Sequence, residues 1–518
     1  QRAPLAHFDR PTPLGRPTPT IELSMNNPVS QRYSIFLLAV LTPALLQTRD
    51  CASGDTTLSQ LELDVAGTNR VISFTPGTRQ YLALLPSGEN TATLRVQSND
   101  SGAQLSWNAN RNGNLIGTGS GEVTVDLPEG STPLTVLVRA SGGAVGNYRV
   151  NVKHVPDVDP NTTSIVLAEE DVLTGSGSTF EVDFYRNLAY ECGLSGNYTF
   201  LVIEPRDNPG GVAPLWVYLH GGGVGAYDDQ GVYWGTLNQT EDTWNHEESL
   251  EDLRDFRLPI AGNGNLRDNT RGRRLAEGYR MLIVSMCDHD IYAGLGTPYP
   301  NNPNPGAEVN GLQATMAAVE YTVANYPTTD VFAHGTSAGS NGVYYLSYGF
   351  AGAGVQLTGA IMDSTFPTPR YFPLFDAFVG VPGFPFRAGF DYDDVVEKLG
   401  VLGDVTLENH TEAVVNAGFT HVPLLVMGGD ADPFCAGNQA PIAEATTAGL
   451  NNCDWYYDGV RQAVAAQPGS PHQVSILDGV GHVPTHDVQG AGAAASDIVD
   501  TFIGDILAGS PPAPFQDN

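Results

Sequence analysis

Asp330-Val-Phe-Ala-His-Gly-Thr-Ser-Ala-Gly-Ser-Asn-Gly342 is the stretch on which the reading of this 518-residue chain turns. Val331, Phe332 and Ala333 read as the apolar end of a buried strand, and Gly335-Thr-Ser337-Ala-Gly339 fits the pattern G-x-S-x-G. Small residues on both sides of a serine permit a sharp strand-to-helix turn that presents its hydroxyl. Ser337 is therefore the candidate nucleophile. In a chain with 59 glycines the pattern also arises by chance, so its surroundings must carry the reading.

Working outward, His220-Gly-Gly-Gly223 directly follows the apolar run Leu215-Trp-Val-Tyr-Leu219. Acyl transfer needs main-chain N–H donors aimed at the oxyanion, and glycines let the backbone come close enough to supply them. The donors expected are Gly222, Gly223 and Ala338, the last being the residue after the serine. A serine also needs a base, and the base a carboxylate. Met427-Gly-Gly-Asp430-Ala-Asp432-Pro and Asp478-Gly-Val-Gly-His482-Val-Pro each follow an apolar strand, in the order Ser, Asp, His.

On these motifs, residues 165 to 508 resemble the α/β-hydrolase superfamily, specifically serine esterases and lipases with an HGGG oxyanion loop. The resemblance implies an acid before a proline and a base in a Gly-His turn, which fall on Asp432 and His482. Asp430 and Asp363 are rival acids, and His486 and His472 rival bases that do not follow a Gly turn. Thr336 stands where the commonest HGGG pattern has an acidic residue. That departure bears on substrate class more than on catalysis.

The flanking pattern fits the same fold. Eight apolar runs, at 180–185, 198–203, 215–219, 281–285, 331–333, 359–362, 423–427 and 474–477, alternate with helical segments. They predict a mostly parallel eight-stranded sheet with helices on it. Val309, Leu312, Met316, Val319 and Val323 fall at helical spacing until Pro327, and read as a core face. Two long connections, 224–274 with Trp234, Trp244 and His246, and 366–420 with Phe366, Phe372, Phe375, Phe378, Phe384, Phe386 and Phe390 among prolines, are expected cap insertions.

Before residue 156 the texture differs. Short alternating runs at 70–74, 81–85, 92–96, 122–127, 134–138 and 148–152, with turns such as Pro86-Ser-Gly-Glu89 and Asn112-Gly113, predict six or seven strands in an N-terminal all-β sandwich. Phe74-x-Pro-Gly-Thr-x-x-Tyr81 and Asn147-Tyr-Arg-Val-Asn-Val152 resemble a cadherin-like β-sandwich repeat of bacterial surface proteins. The chain thus divides into a leader (1–54), the sandwich (55–155), a linker (156–163) and the α/β catalytic domain (164–510).

Within the leader, residues 35–46 form an apolar run too short to span a bilayer and suited to a secretory signal. In an exported chain the last four of five cysteines form two disulfides. Cys435 and Cys453 are close enough to clamp one loop, leaving Cys192 with Cys287. Cys51 is odd; it resembles a lipoprotein's lipidated cysteine, although Thr48-Arg-Asp50 fits that site poorly. It is the one expected route to a membrane tether.

Net charge is −32, and Lys153 and Lys398 are the only lysines. Such a field repels nucleic acid and anionic membrane surfaces, so neither is expected as a partner. Cys287-Asp-His-Asp290 has ligand-type side chains, but four adjacent ones on an extended chain cannot face one ion, so no metal is expected. No organic cofactor is expected either. The expectation is a secreted or cell-surface serine carboxylic ester hydrolase, with a polymeric or cell-external ester substrate favoured. The alternatives are a serine peptidase of the same fold and a non-catalytic adhesion protein.

Overall fold

The computed structural model describes residues 54–235 apart from short gaps, 245–255, 269–350, 355–364, 422–432, 471–486 and 491–514, with isolated positions such as Lys398 and Cys453. The apolar run at 35–46, Cys51, Trp244, Cys435 and the phenylalanine-rich stretch lie outside the described residues.

The first layer structure is all β. Its strands are β1 (Leu58–Val65), β2 (Thr68–Asn69), β3 (Gln80–Pro86), β4 (Thr91–Ser98), β5 (Gln104–Ala109), β6 (Asn112–Thr118), β7 (Ser120–Asp126), β8 (Ser131–Arg139) and β9 (Val145–Val155). They hydrogen-bond in the order β2-β1-β4-β7-β6-β5-β8-β9-β3. Alternate residues face one interior, with Leu61, Leu94, Val96, Leu105, Val136 and Val150 buried in a single cluster, as period-2 patterning requires. Between β6 and β7 the pairing narrows to Thr118↔Ser120. Gly119 makes that reversal at φ +72°, and a Cβ there would stand 2.6 Å from the Ser101 carbonyl oxygen. Nine strands replace the expected six or seven. Asn112 opens β6, opposite Ala109, instead of lying in the turn. Of the expected strand at 70–74, only Phe74 is described, packed on Tyr81 and Tyr148.

The second part is α/β. Its strands are β10 (Ile165–Gly175), β11 (Ser178–Glu191), β12 (Asn197–Ile203), β13 (Ala213–Leu219), the hairpin β14 (Gly225–Tyr227) and β15 (Tyr233–Gly235), β16 (Arg280–Val284), the short pair β17 (Thr297–Pro298) and β18 (Glu308–Val309), β19 (Thr328–Thr336), β20 (Gly359–Asp363), β21 (Leu424–Gly429) and β22 (Gln473–Leu477). Helices are α1 (Leu250–Asp255), α2 (Thr270–Ala276), α3 (Gly311–Asn325), α4 (Ala338–Phe350) and α5 (Gly492–Leu507). Among the described residues none is long and apolar enough to cross a membrane.

The large sheet runs β10-β11-β12-β16-β13-β19-β20-β21-β22. Pairing is antiparallel from β10 to β16 and parallel from β16 to β22. It has nine strands where eight were expected. The strand missed, β10, is an edge strand carrying exposed Glu169 and Glu170. The central strands are buried on both faces, which explains their uninterrupted apolar sequences. Leu215, Val217 and Leu219 face the side of α3 and α4, while Trp216 and Tyr218 face α1, α2 and α5. Leu312, Met316 and Val319 of α3 are buried as the spacing predicts; Val309 belongs to β18 instead.

In the first long insertion, Trp234 donates to Asp228 at 2.6 Å within the β14–β15 hairpin. His246 meets Ser195 at 2.8 Å. The described part of that segment is built into the body of the domain.

Candidate active site

Ser337, the glycine run, Asp432 and His482 all follow the carboxyl ends of parallel strands, the edge on which open α/β sheets take ligands; His472, by contrast, precedes β22 at the opposite edge. β19 ends at Thr336, α4 begins at Ala338, and Ser337 between them sits at φ 53°. A non-glycine residue is strained there. The turn is held because the Ser337 N–H donates to the Asp363 carbonyl at 2.8 Å and its carbonyl accepts from the Ser340 N–H. The flanking glycines are needed for close approach. A Cβ on Gly339 would stand 2.0 Å from the Leu219 carbonyl oxygen, and one on Gly335 1.9 Å from that of Gly339.

The glycine run passes beside this turn. A Cβ on Gly221 would meet the Ser337 Cβ at 2.9 Å, and Gly223 takes φ +84°. Among the described residues, the N–H groups of Gly222 and Gly223 donate to no protein acceptor. That of Ala338 belongs to the first turn of α4, where N–H groups lack intrahelical partners. His220 anchors the run: its N–H donates to Tyr292 Oη at 3.0 Å, Nδ1 meets the Gly221 carbonyl at 2.7 Å and Nε2 meets Glu248 at 3.1 Å.

His482 Nδ1 is 2.7 Å from Asp432 Oδ2, and Asp432 is buried. Asp430, two residues away, accepts instead from the Gly479 N–H at 2.6 Å. The loop of His482 is tied to the strand beside Ser337: the Val483 N–H donates to Ser364 Oγ at 2.8 Å, and the Thr485 N–H and hydroxyl both donate to the Asp363 carboxylate. Burial pushes the Asp363 carboxyl up to about 6, with the Thr485 bonds and nearby His482 pulling the other way. The rival histidines serve elsewhere. His472 Nδ1 accepts from the Leu424 N–H, and burial lowers its ring to about 4. His486 Nε2 meets Tyr218 Oη at 2.6 Å.

That tyrosine is a residue the sequence did not single out. Tyr218 Oη also meets Thr336 Oγ1 at 2.9 Å, and the Arg271 guanidinium lies 4.4 Å above its ring. One side chain thus links β13, the residue before Ser337 and the turn at Pro484–His486. Thr336, where an acidic residue is commoner, is a partner in this bond.

Cys287 is bonded to Cys192, as expected. Cys453 is disulfide-bonded as well, and its pairing with Cys435 is an expectation outside the described residues. Asp288 accepts from the Gly193 N–H at 2.6 Å and the Tyr198 hydroxyl at 2.8 Å. Asp290 accepts from the N–H groups of Tyr292, Gly294 and Gly311. These carboxylates gather backbone donors, and among the described residues no group of three His, Cys, Asp or Glu is arranged to hold a metal ion. Beside them lies fully buried Lys398. Burial, with Asp290 adding to it, pushes Asp288 up to about 7, and burial brings Lys398 down to about 8 against the pull of both carboxylates.

A family model for the cadherin-like beta sandwich domain matches residues 58–154, the nine-stranded sandwich. No curated protein matches the chain. Among solved structures, the chain is similar to Est1E from Butyrivibrio proteoclasticus, at 14% identity and a TM-score of 0.31 over 66% of this chain and 100% of that one. It is similar to an S-formylglutathione hydrolase from Agrobacterium tumefaciens, at 10% identity and 0.35 over 66% and 99%. An arylesterase gives 11% and 0.33 over 68% and 87%. At these values the likeness carries no chemistry, which rests on the chain's own residues.

Proposed function

We propose that this chain is a serine carboxylic ester hydrolase whose α/β-hydrolase domain works through an acyl-enzyme on Ser337. The observation that carries the reading is the 2.7 Å bond between His482 and Asp432, on a loop pinned to the same Asp363–Ser364 step that holds Ser337.

His482 takes the Ser337 hydroxyl proton on Nε2 as the oxygen attacks the ester carbonyl, and Asp432 steadies the imidazolium that forms. The carbonyl oxygen becomes an oxyanion received by the N–H groups of Gly222, Gly223 and Ala338. His482 returns the proton to the departing alkoxide, leaving Ser337 acylated. Water, deprotonated by the same histidine, then attacks the acyl carbon. The free acid leaves and Ser337 regains its proton. Side chains and water account for every atom.

Export and an extracellular or cell-surface site of action are part of the proposal. Disulfides persist in oxidising compartments, and the Cys192–Cys287 bond supports that setting. An accessory sandwich suits an enzyme that spaces or docks its catalytic domain at a polymeric ester.

The test is hydrolysis of p-nitrophenyl esters from acetate to palmitate by the wild-type protein and Ser337→Ala, with fluorophosphonate labelling mapped by mass spectrometry. Loss of turnover and of label in Ser337→Ala is the expected result. Turnover retained in Ser337→Ala overturns the mechanism. Absence of ester hydrolysis alongside serine-dependent peptide cleavage makes the chain a peptidase.

A further inference from the structure

Lys398 is one of two lysines in a strongly acidic chain, and none of its surface reaches solvent. Its ammonium donates to three main-chain carbonyls: Gly225 at 2.7 Å, His289 at 3.3 Å, and Asp288. It lies 4.5 Å from the centre of the Tyr299 ring, a cation–π arrangement. Acceptors on one side are about a hundred residues away in sequence, and on the other about a hundred and seventy. Desolvating an ammonium is costly, so the contact is informative about the backbone that it holds.

That backbone belongs to two loops which meet at the site. Gly225 lies two residues beyond the Gly221–Gly223 run, and its N–H donates to the His289 carbonyl at 3.4 Å. The His289 ring lies against the run itself: a Cβ on Gly222 would stand 3.0 Å from its Cε1. His289, Ile291 and Tyr292 all have positive φ, between 47° and 60°, a conformation that such residues hold only when surroundings enforce it. Opposite charges enforce it here. Asp290 gathers the N–H groups of Tyr292, Gly294 and Gly311, and Lys398 gathers the carbonyls of Asp288 and His289. Without the ammonium, the carbonyls of Gly225, Asp288 and His289 would lose the charged donor they share, and the support behind Gly222 would relax.

We propose that Lys398 is a positioning residue for the oxyanion loop, its ammonium stapling Gly225 to Asp288–His289 so that the Gly222 and Gly223 amides stay aimed beside Ser337. The proposal rests on reading Ser337 as the nucleophile. Lys398 touches no reacting atom; it acts through the backbone of Gly225 and the ring of His289. Transition-state donors are the ones at stake, so the effect belongs in kcat more than in KM.

The experiment uses the full chain with Lys398→Met, which keeps length and loses charge, beside the wild type and Ser337→Ala. Hydrolysis of the preferred p-nitrophenyl ester is expected to show a tenfold to hundredfold fall in kcat with KM changed less than threefold. Hydrogen–deuterium exchange is expected to speed up at least tenfold across 220–225 and 287–290, while 331–336 stays as slow as in the wild type. Unchanged exchange overturns the staple. Faster exchange with unaltered kcat overturns the positioning role. Full activity in Ser337→Ala sinks the nucleophile assignment instead, and the exchange pattern still decides whether the staple exists. Should Lys398→Met not fold, Lys398→Arg, which keeps the charge but displaces it from the carbonyls, is read in the same way.

Discussion

The main-chain N–H of Ser337 donates to the carbonyl of Asp363 at 2.8 Å, while the carboxylate of that aspartate takes both donors of Thr485, three residues beyond His482. Asp363 is thus a strut between the serine turn and the histidine loop.

Its charge has a measurable cost. Burial raises its carboxyl from 3.8 to about 6, so the folded state binds this proton more tightly than the unfolded chain. Stability from this group is fully present below about pH 4 and is lost as pH rises through 6. Relative to Asp363→Asn, the wild type should therefore lose up to about 3 kcal/mol between pH 4 and 6 and no more above. Urea unfolding of both proteins at pH 4, 5, 6 and 7 measures it; a pH-independent difference would contradict the assignment.

Two aspartates stand within three residues, and only one meets His482. Asp432→Asn is expected to lower kcat about 10³- to 10⁴-fold, since it removes the partner that fixes the imidazole and balances its charge. Asp430→Asn should stay within about threefold of wild type. Steady-state kinetics on one ester, run with both variants, separates them. Equal losses would mean that the acid is misassigned.

His472 has the opposite pH sign to Asp363. Burial lowers its ring from 6.5 to about 4, so the unfolded chain takes up the proton first. Its contribution is present above about pH 6.5 and is lost as pH falls toward 4, by up to about 3 kcal/mol. His472→Asn should flatten that part of the wild-type profile. Identical slopes for the two proteins between pH 4 and 6.5 would rule the residue out as the cause.

The Cys192–Cys287 bond closes a sequence separation of 95 residues. On the chain-entropy account a loop of that length is worth about 4.7 kcal/mol. The double variant Cys192→Ala/Cys287→Ala is expected to lose about that much in urea unfolding. A loss below about 1 kcal/mol would mean that the cross-link does little to restrict the unfolded chain.

The parts of this fold that could be read from sequence are those where burial is two-sided. β13, β16, β20 and β21 carry almost unbroken apolar residues because helices cover both faces. β10 escaped because an exposed strand carrying Glu169 and Glu170 has no such pattern, and β6 because Asn112 and Gly113 look like turn residues while pairing with β5. At the site, Ser337, the glycine run, Asp432 and His482 each stand in short motifs whose spacing follows from the chemistry. Tyr218, Asp363 and Lys398 do not. Their partners are hydroxyls, an imidazole, amides and carbonyls from distant segments, and a bond to a main-chain oxygen leaves no mark on the residue type that supplies it.

The outermost strand of the large sheet, β10, has one further consequence. It presents Val166, Leu167 and Val172 to solvent at the edge of the sheet among the described residues, and an edge strand is a template on which a second molecule could add its own strand. Glu169 and Glu170 sit in the middle of that template. A second copy docking there in antiparallel register would set like charges against each other. The molecule therefore carries its own guard against stacking edge to edge.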